Sequence, residues 1–338
     1  MKKPVFLIAE VGQAHEGSLG ILHSYIDAVA TTGVDAIKFQ THIAEAESSA
    51  YEPFRVNFSY EDMTRYDYWK RMSFTAEQWA GIKQHCEEAG IEFISSPFSQ
   101  AAVDLLEAIG VRRYKVGSGE TTNALLLEKL CGIGKPVILS SGMNSFEELD
   151  GAVAVLKQRS IDTTVLQCTT QYPTPPEQLG LNVIGELKRR YQNVTVGLSE
   201  HSGDLYAGLA GVALGAEVVE FHVTFDKRMF GPDTSSSLTI DRTRDLVQGV
   251  RYLERALNNP VDKSNNAKYG ELKQIFEKSL AVNKDLPRGH RITFEDLETK
   301  KPRGHGIPAS TFRDVIGKRL VMDLSRYSFL TEDSLEKK

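Results

Sequence analysis

The 338-residue chain is poor in cysteine, has no long hydrophobic run, and carries no large excess of one charge. Its three cysteines are widely spaced and form no metal or disulfide pattern, so we expect buried thiols in a reducing cytoplasm. No segment approaches the roughly 18 apolar residues of a membrane span, and Glu10 interrupts the N-terminal apolar run too early for a signal peptide. The net charge of −5 gives no reason to expect nucleic acid or an anionic membrane as partner.

What the chain does have is a regular alternation of apolar runs and helix-period segments. Strands are predicted at 5–9, 36–39, 91–94, 112–116, 136–139, 163–168, 194–198 and 218–223. Helices are predicted at 18–32, 75–89, 99–108, 123–133, 145–158, 179–190, 204–214 and 240–257. Eight such repeats over about 255 residues predict an α/β fold of the (β/α)8 barrel type. A doubly wound open sheet competes, but no glycine-rich nucleotide loop follows the first strand.

Two helix starts and one long connection add detail to the barrel. Thr75 with Gln78, and Ser145 with Glu148, have the spacing of capping boxes. Residues 44–74 form the only long connection after a predicted strand, rich in Tyr, Phe, Arg and Asp. A loop of this length in a compact barrel is usually functional, so we expect a lid over the site.

The C-terminal part changes character after the last predicted barrel helix. We divide the chain into a barrel catalytic domain at 1–260, a polar linker at 261–278 and a small, mostly-β module at 279–338. The turn sequences at 287–289 and 303–306 support short extended elements in that module. Because about sixty residues bury little core, we expect the module to pack on its own barrel or on a partner's.

Residues 194–233 carry two histidines, His201 and His222, each at the end of an apolar run. A strand–helix–strand unit brings the carboxyl ends of its parallel strands to one edge, where α/β proteins place their chemistry. Two imidazoles with nearby carboxylates are typical of a divalent metal site, for Mn²⁺, Mg²⁺ or Zn²⁺. The alternative is that each histidine only caps its strand.

Two lysines and several hydroxyls stand at the ends of other predicted strands. Lys38 and Lys115, surrounded by Ser, Thr and amide side chains, are what an anionic ligand such as a phosphate ester needs. Either lysine could instead neutralise a nearby glutamate. The residues alone predict a metal-dependent enzyme that acts on a phosphorylated or carboxylated small molecule.

Nine ordered motifs then bring a family into view: IAEVGQAHEGS, IKFQTH, ISSPFS, YKVGSGE, ILSSGMN, QCTTQYPTP, GLSEHSG, FHVTFDKRMFGPD and GHGIP. Over nearly its whole length the chain resembles the sialic acid synthases, which include N-acetylneuraminate, legionaminate and pseudaminate synthases. The resemblance implies a (β/α)8 barrel followed by an antifreeze-like (SAF) domain. It also implies a domain-swapped homodimer and a divalent metal ion, Mn²⁺ first, with Mg²⁺ or Co²⁺ as alternatives.

The reaction that the resemblance implies joins phosphoenolpyruvate to the open-chain aldehyde of an N-acetylated hexose, giving a nonulosonic acid and phosphate. Glu10 and Glu120 match catalytic positions, and His201 and His222 match the metal ligands. The positions matching phosphoenolpyruvate contacts are Lys38, Ser96, Lys115, Ser118, Ser140, Thr170 and Ser199. Those matching sugar contacts are Gln40, Tyr172, Asp233 and Arg303.

Two departures from the family pattern concern the ligands. Thr170 stands where these enzymes carry Asn, which removes an amide donor toward phosphoenolpyruvate. The basic loop of the C-terminal module reads Lys301-Pro302-Arg303-Gly304 instead of Arg-Pro-Gly, so either Lys301 or Arg303 could reach the sugar, and we assign Arg303. Two other functions remain open, a metal-dependent aldolase or isomerase without phosphoenolpyruvate, and a non-catalytic homologue.

Overall fold

The computed structural model describes residues 3–56 and 58–337. The chain forms two compact units, residues 1–259 and 260–338. Among the described residues, no helix combines the length and the apolar character needed to cross a membrane. The three cysteines all lie within the described residues, buried and unbonded to one another.

The first unit is built on eight parallel strands in sequential order, and β1 pairs with β8 to close the barrel. The strands are β1 (Phe6–Glu10), β2 (Ala36–Thr41), β3 (Glu92–Pro97), β4 (Tyr114–Val116), β5 (Val137–Ser140), β6 (Thr163–Cys168), β7 (Thr195–Glu200) and β8 (Val218–Thr224). A two-residue strand, β9 (Leu238–Thr239), extends the sheet beside β8. The predicted barrel is therefore confirmed.

Helices cover the outside of the barrel and follow the strands in order. They are α1 (Leu19–Ala30), α2 (Ala44–Glu47), α3 (Arg65–Met72), α4 (Ala76–Glu88), α5 (Gln100–Ala108), α6 (Ala124–Ile133), α7 (Phe146–Gln158), α8 (Asn182–Arg190), α9 (Leu205–Ala213) and α10 (Ile240–Leu257). Both predicted capping boxes are present, at the starts of α4 and α7. Their hydroxyls accept from the third helical amide, which satisfies a donor that the helix leaves free.

The long connection after β2 is more ordered than an irregular loop, because it contains α2 and α3. Thr64 caps α3 by accepting from the amide of Asp67. Tyr68, Trp69 and Met72 from α3 are buried in a small apolar cluster, against which Phe54 and Phe58 pack. The connection is thus a folded segment with a core of its own.

The second unit has a small core of ten buried apolar side chains. It contains α11 (Gly270–Phe276) and an antiparallel pair of strands, β10 (Ser279–Val282) and β11 (Leu297–Lys300). Isolated β-bridges and 3₁₀ turns connect other parts of this unit. Asp296 is buried and bonded to Lys284, His290 and Thr293. Burial alone would raise the pKa of Asp296, but these partners hold the pKa well below its usual range.

Candidate active site

The alternation of side chains along the strands explains how the barrel carries a polar site above an apolar interior. Ile8, Ala36, Ile94, Ile138, Leu166 and Val218 form one buried layer. Two residues further along their strands, on the same face, stand Glu10, Lys38, Ser96, Ser140, Cys168 and Glu220, all of which line one cavity. The apolar layer closes the barrel below, and the polar layer faces the cavity at the strand carboxyl ends.

The cavity has a volume of about 400 Å³. It brings together every residue to which the sequence assigns a site role except Arg303: Glu10, Lys38, Gln40, Ser96, Lys115, Ser118, Glu120, Ser140, Thr170, Tyr172, Ser199, His201, His222 and Asp233. These residues come from all eight strand ends and the loops that follow them. The size suits a small polar ligand.

The register of the strands places opposite charges beside one another. Glu10 is the register partner of Lys38 on one side and of His222 on the other. The Lys38 ammonium lies 2.6 Å from Glu10 Oε1 and 3.7 Å from Glu220 Oε1. Lys115 Nζ lies 3.3 Å from Glu220 Oε1. All four groups are buried, so the cavity floor holds two cations balanced by two carboxylates.

Burial and these neighbours act on the ionisation of Glu10 and Lys38 in opposite directions. Burial alone would raise the pKa of Glu10, but Lys38, His222 and Lys115 hold the pKa well below its usual range. Burial alone would lower the pKa of Lys38, but Glu10 and Glu220 raise the pKa above its ordinary value. Both groups are therefore charged near neutral pH.

The two histidines lie side by side, with ring centroids 5.3 Å apart. Nδ1 of His201 donates to the Thr169 carbonyl at 2.9 Å, which leaves Nε2 as a free lone pair. Burial, together with the neighbouring His222, lowers the pKa of His201 to about 3, so the ring is neutral. Glu10 Oε2 lies 3.4 Å from His222 Nε2.

We tested whether this pair fits a divalent metal ion. His222 Nδ1 is buried and has no hydrogen-bond partner among the described residues, and neutral imidazole nitrogens are common metal ligands. A carbonyl behind His201 orients that ring as metal-binding histidines usually require. Within residues 3–56 and 58–337, no three His, Cys, Asp or Glu side chains converge as a ligand set. The donors present therefore fit an ion that takes two protein nitrogens and leaves its other positions to oxygen ligands.

Beside the two histidines, the cavity wall is aromatic and cationic. The Tyr172 ring stacks on His201, with centroids 4.1 Å apart. The guanidinium of Arg55, from the long connection, lies 4.3 Å from the centre of the Tyr172 ring. Its Nη2 donates to Asp233 Oδ1 at 2.7 Å. Arg55 thus joins Tyr172 and Asp233, two of the four residues assigned to the sugar.

Glu120 stands apart from this charge cluster, in the 3₁₀ turn after β4. Its Oε2 accepts a hydrogen bond of 2.7 Å from Asn123 Nδ2. Burial raises the pKa of Glu120. A carboxyl group that holds its proton closer to neutral pH than usual is suited to general acid–base work.

Arg303, the remaining residue assigned to the sugar, lies in the second unit. Its Nη1 donates to Glu277 Oε2 at 2.6 Å, within that unit. Lys301, the alternative, has its ammonium 5.0 Å from the centre of the Phe276 ring. Both side chains therefore have partners in their own unit.

Several cavity residues have no assigned role from the sequence, and among them are Glu220, Arg55 and His42. Glu220 could have been found, because it is a charge inside an apolar run and shares a strand face with His222. Arg55 lies in an irregular segment without periodicity. His42 stacks between Trp69 and Phe98 and bonds Glu47 at 2.5 Å.

Comparison with known proteins agrees with this architecture. A model described as NeuB family matches residues 25–262, and one described as SAF domain matches residues 277–336. The N-acetylneuraminate-9-phosphate synthase of Mus musculus is 31% identical over 344 residues, covering 99% of this chain and 94% of that protein. The N,N'-diacetyllegionaminic acid synthase of Campylobacter jejuni is 32% identical, covering 94% and 96%.

A solved structure shows the same likeness in three dimensions. The N-acetylneuraminic acid (sialic acid) synthetase from Leptospira borgpetersenii serovar Hardjo-bovis has a TM-score of 0.71 and 30% identity, covering 80% of this chain and 90% of that one. The match of one family model to well over half of the chain, together with these relatives, fixes the assignment. The chain belongs to the NeuB family and carries a SAF domain at its C-terminal end.

Proposed function

We propose that the protein condenses phosphoenolpyruvate with the open-chain aldehyde of an N-acetylated hexose, giving a nonulosonic acid and phosphate. The observation that carries the proposal is the division of one cavity into two sides. Two buried lysines with hydroxyls form an anion side, and two histidines with Glu10 form the other. The names of the related synthases support the same reaction.

In the proposed reaction, C3 of phosphoenolpyruvate forms a bond to the aldehyde carbon, and the aldehyde oxygen takes a proton. Water adds to C2 and gives up one proton, and the resulting tetrahedral intermediate loses its hydroxyl proton as the C2 carbonyl forms. The C–O bond to phosphate breaks in the same collapse, so that phosphate leaves with the bonding electrons. One of the two protons balances the proton taken up by the aldehyde oxygen, and the other goes to phosphate or solvent. The lysine ammonium groups would hold the anionic substrate through charge-assisted hydrogen bonds. Ser96, Ser118, Ser140, Thr170 and Ser199 would orient it.

The metal ion expected from the family fits His201 and His222. A divalent ion held there, Mn²⁺ in the first instance, would supply Lewis-acid polarisation of a carbonyl oxygen. Glu10 remains ionised, because its pKa is lowered, so its carboxylate can accept a hydrogen bond from a water molecule and orient it. Glu120, with its raised pKa, is suited to donate the proton to the aldehyde oxygen.

On the sugar side we assign Gln40, Tyr172 and Asp233, all of which line the cavity. Gln40 Nε2 donates to Glu10 Oε1 at 2.7 Å, so the amide also holds the carboxylate in place. We further propose a domain-swapped homodimer, in which the partner subunit's Arg303 contacts the sugar. A guanidinium can form a forked contact with an N-acetyl carbonyl or hydroxyl group.

The test is incubation of the full chain with phosphoenolpyruvate, Mn²⁺ and either N-acetylmannosamine or a 2,4-diacetamido-trideoxyhexose. We expect phosphate release together with a product whose mass is that of the 3-deoxy-2-ulosonic acid. The control is the His201→Ala protein under the same conditions. Absence of phosphate release with every acceptor in such a panel would reject the proposal.

A further inference from the structure

Glu220 occupies an unusual position on the floor of the cavity, because three groups assigned to phosphoenolpyruvate converge on one of its oxygens. Oε1 lies 3.3 Å from Lys115 Nζ and 3.7 Å from Lys38 Nζ. It also accepts from Ser199 Oγ at 3.1 Å. The side chain is only 2% exposed and lines the cavity.

The second carboxylate oxygen of Glu220 is in a different situation. Oε2 of Glu220 is buried and has no hydrogen-bond partner among the described residues. Lys38 does not depend on Glu220 for neutralisation, because Glu10 lies closer, at 2.6 Å. Glu220 therefore does more than balance one charge, since it shares a single oxygen among two ammonium groups and a hydroxyl.

An anionic ligand on this side of the cavity must compete with that carboxylate. Its oxygens would take the same donors, and its charge would stand within a few ångströms of the Glu220 charge, in a site with little water to screen them. We propose that Glu220 is a positioning residue that acts as a built-in competitor, holding both lysines when no anion is bound and weakening the site's hold on inorganic phosphate.

This inference rests on the proposed function, because that reaction leaves phosphate in the site as a product. Two buried lysines with no competing carboxylate would bind a dianion tightly and would slow its release. When phosphate leaves, the Glu220 carboxylate can again form ion pairs with both lysines. Turnover then does not require the ammonium groups to remain buried without a counter-charge, which is a costly state.

The experiment measures binding of inorganic phosphate to the full chain by isothermal titration calorimetry, for wild type and Glu220→Gln. Loss of one interfering charge predicts phosphate binding at least about tenfold tighter in the variant, since a unit charge about 4 Å away changes a binding constant by roughly fivefold in bulk water and by roughly a thousandfold at an effective dielectric constant of about 20. The matched control is Glu217→Gln, which removes an exposed carboxylate that pairs with Lys188 at 3.1 Å. It should bind phosphate as wild type does.

If Glu220 only supports the structure, the affinity of Glu220→Gln for phosphate should fall, because disordered lysines would bind phosphate more weakly. Unchanged or weaker binding in Glu220→Gln, or no measurable binding in either protein, overturns the inference. If the variant does not fold, as judged by circular dichroism, Glu220→Asp keeps the charge but withdraws it by one methylene. The phosphate affinity of Glu220→Asp should lie between that of wild type and a tenfold higher value. Since phosphate binding requires no acceptor sugar, this outcome is independent of the condensation assay.

Discussion

At the scale of single residues, the site depends on buried charged side chains that form ion pairs. Glu10 and Lys38 are each about 2–4% exposed, and each would be costly to bury alone. Their pairing, at 2.6 Å, stabilises a carboxylate and an ammonium group at the cavity floor. The ionised state of both groups is therefore a property of the folded chain.

Lys115 offers the sharpest test of the anion side. The Lys115→Ala protein should show a KM for phosphoenolpyruvate raised about a hundredfold, close to the roughly 3 kcal/mol that a hydrogen bond to a charged group can contribute. The KM for the sugar should change much less, because the Lys115 ammonium pairs with Glu220, whereas Tyr172 and Asp233 are joined through Arg55. Steady-state kinetics with each substrate varied in turn measures both quantities.

Lys188→Ala is the control for Lys115, because Lys188 forms an exposed ion pair. It should leave both constants near wild type. A metal-dependent aldolase or isomerase that does not use phosphoenolpyruvate predicts a different result. In that case Lys115→Ala would affect turnover without any selective loss of phosphoenolpyruvate binding.

How far the site could be predicted from sequence follows from the same residues. Glu10, Lys38 and His222 stand at strand ends, where a period of two and a parallel register fix their face, so their meeting was predictable. Arg55 reaches the site from a segment without periodicity, and its place depends on the packing of Tyr68 and Trp69. No local pattern encodes that contact.

At the scale of elements, the barrel was predictable because each strand and helix has its own sequence period and boundary residues. Strand ends differ from the predictions by at most two residues, except in β3, which was expected at 91–94 and runs three residues further, to Pro97. The helices α2 and α3 were missed, since four and eight residues give little periodicity. The only local sequence signal for α3 is its N-cap, in which Thr64 accepts from the amide of Asp67.

Close packing between strands supplies a prediction at this scale. A Cβ on Gly197 of β7 would lie 2.3 Å from the Val218 carbonyl oxygen and 2.6 Å from Leu166 Cδ2. Gly197→Ala should therefore destabilise the protein by roughly 1–3 kcal/mol, the usual cost of overpacking, by forcing β7 away from its neighbours. Denaturant unfolding, followed by circular dichroism, measures the change in the free energy of unfolding.

Gly132 of α6 is the matched control for this substitution. A Cβ there would meet no atom within 4 Å. Gly132→Ala should be neutral or stabilising by up to about 1 kcal/mol, because alanine is the better helix former. Equal effects of the two substitutions would show that the strand contact at Gly197 does not limit the barrel.

At the scale of the whole molecule, the residues with assigned site roles are distributed unevenly between the two units. The barrel unit closes its own sheet and carries fourteen of the fifteen residues with assigned site roles. The second unit has a core of ten buried apolar side chains, and it holds Arg303. The role proposed for Arg303 at the sugar would depend on how two chains assemble, and no period or spacing within one chain encodes such an assembly.

Mixing two defective proteins tests the proposed exchange between subunits. Lys115→Ala alters the barrel, and Arg303→Ala alters the SAF domain, so each homodimer should have low activity. If Arg303 acts on the partner's barrel, a mixed dimer has one barrel with Lys115 that receives an intact Arg303 from the other subunit. Random reassortment makes half of the dimers mixed, each with one of two sites restored, so activity should rise to about a quarter of wild type.

The arrangement in which Arg303 serves its own barrel gives a different result. Each chain in the mixture then carries one defect in its own site, and reassortment restores nothing. The two proteins are mixed under mild denaturant, refolded, and assayed for phosphate release against separately treated samples. Light scattering on the same samples measures whether dimers form. A mixture no more active than the mean of its two components would reject the exchanged arrangement and place the sugar contact within one chain.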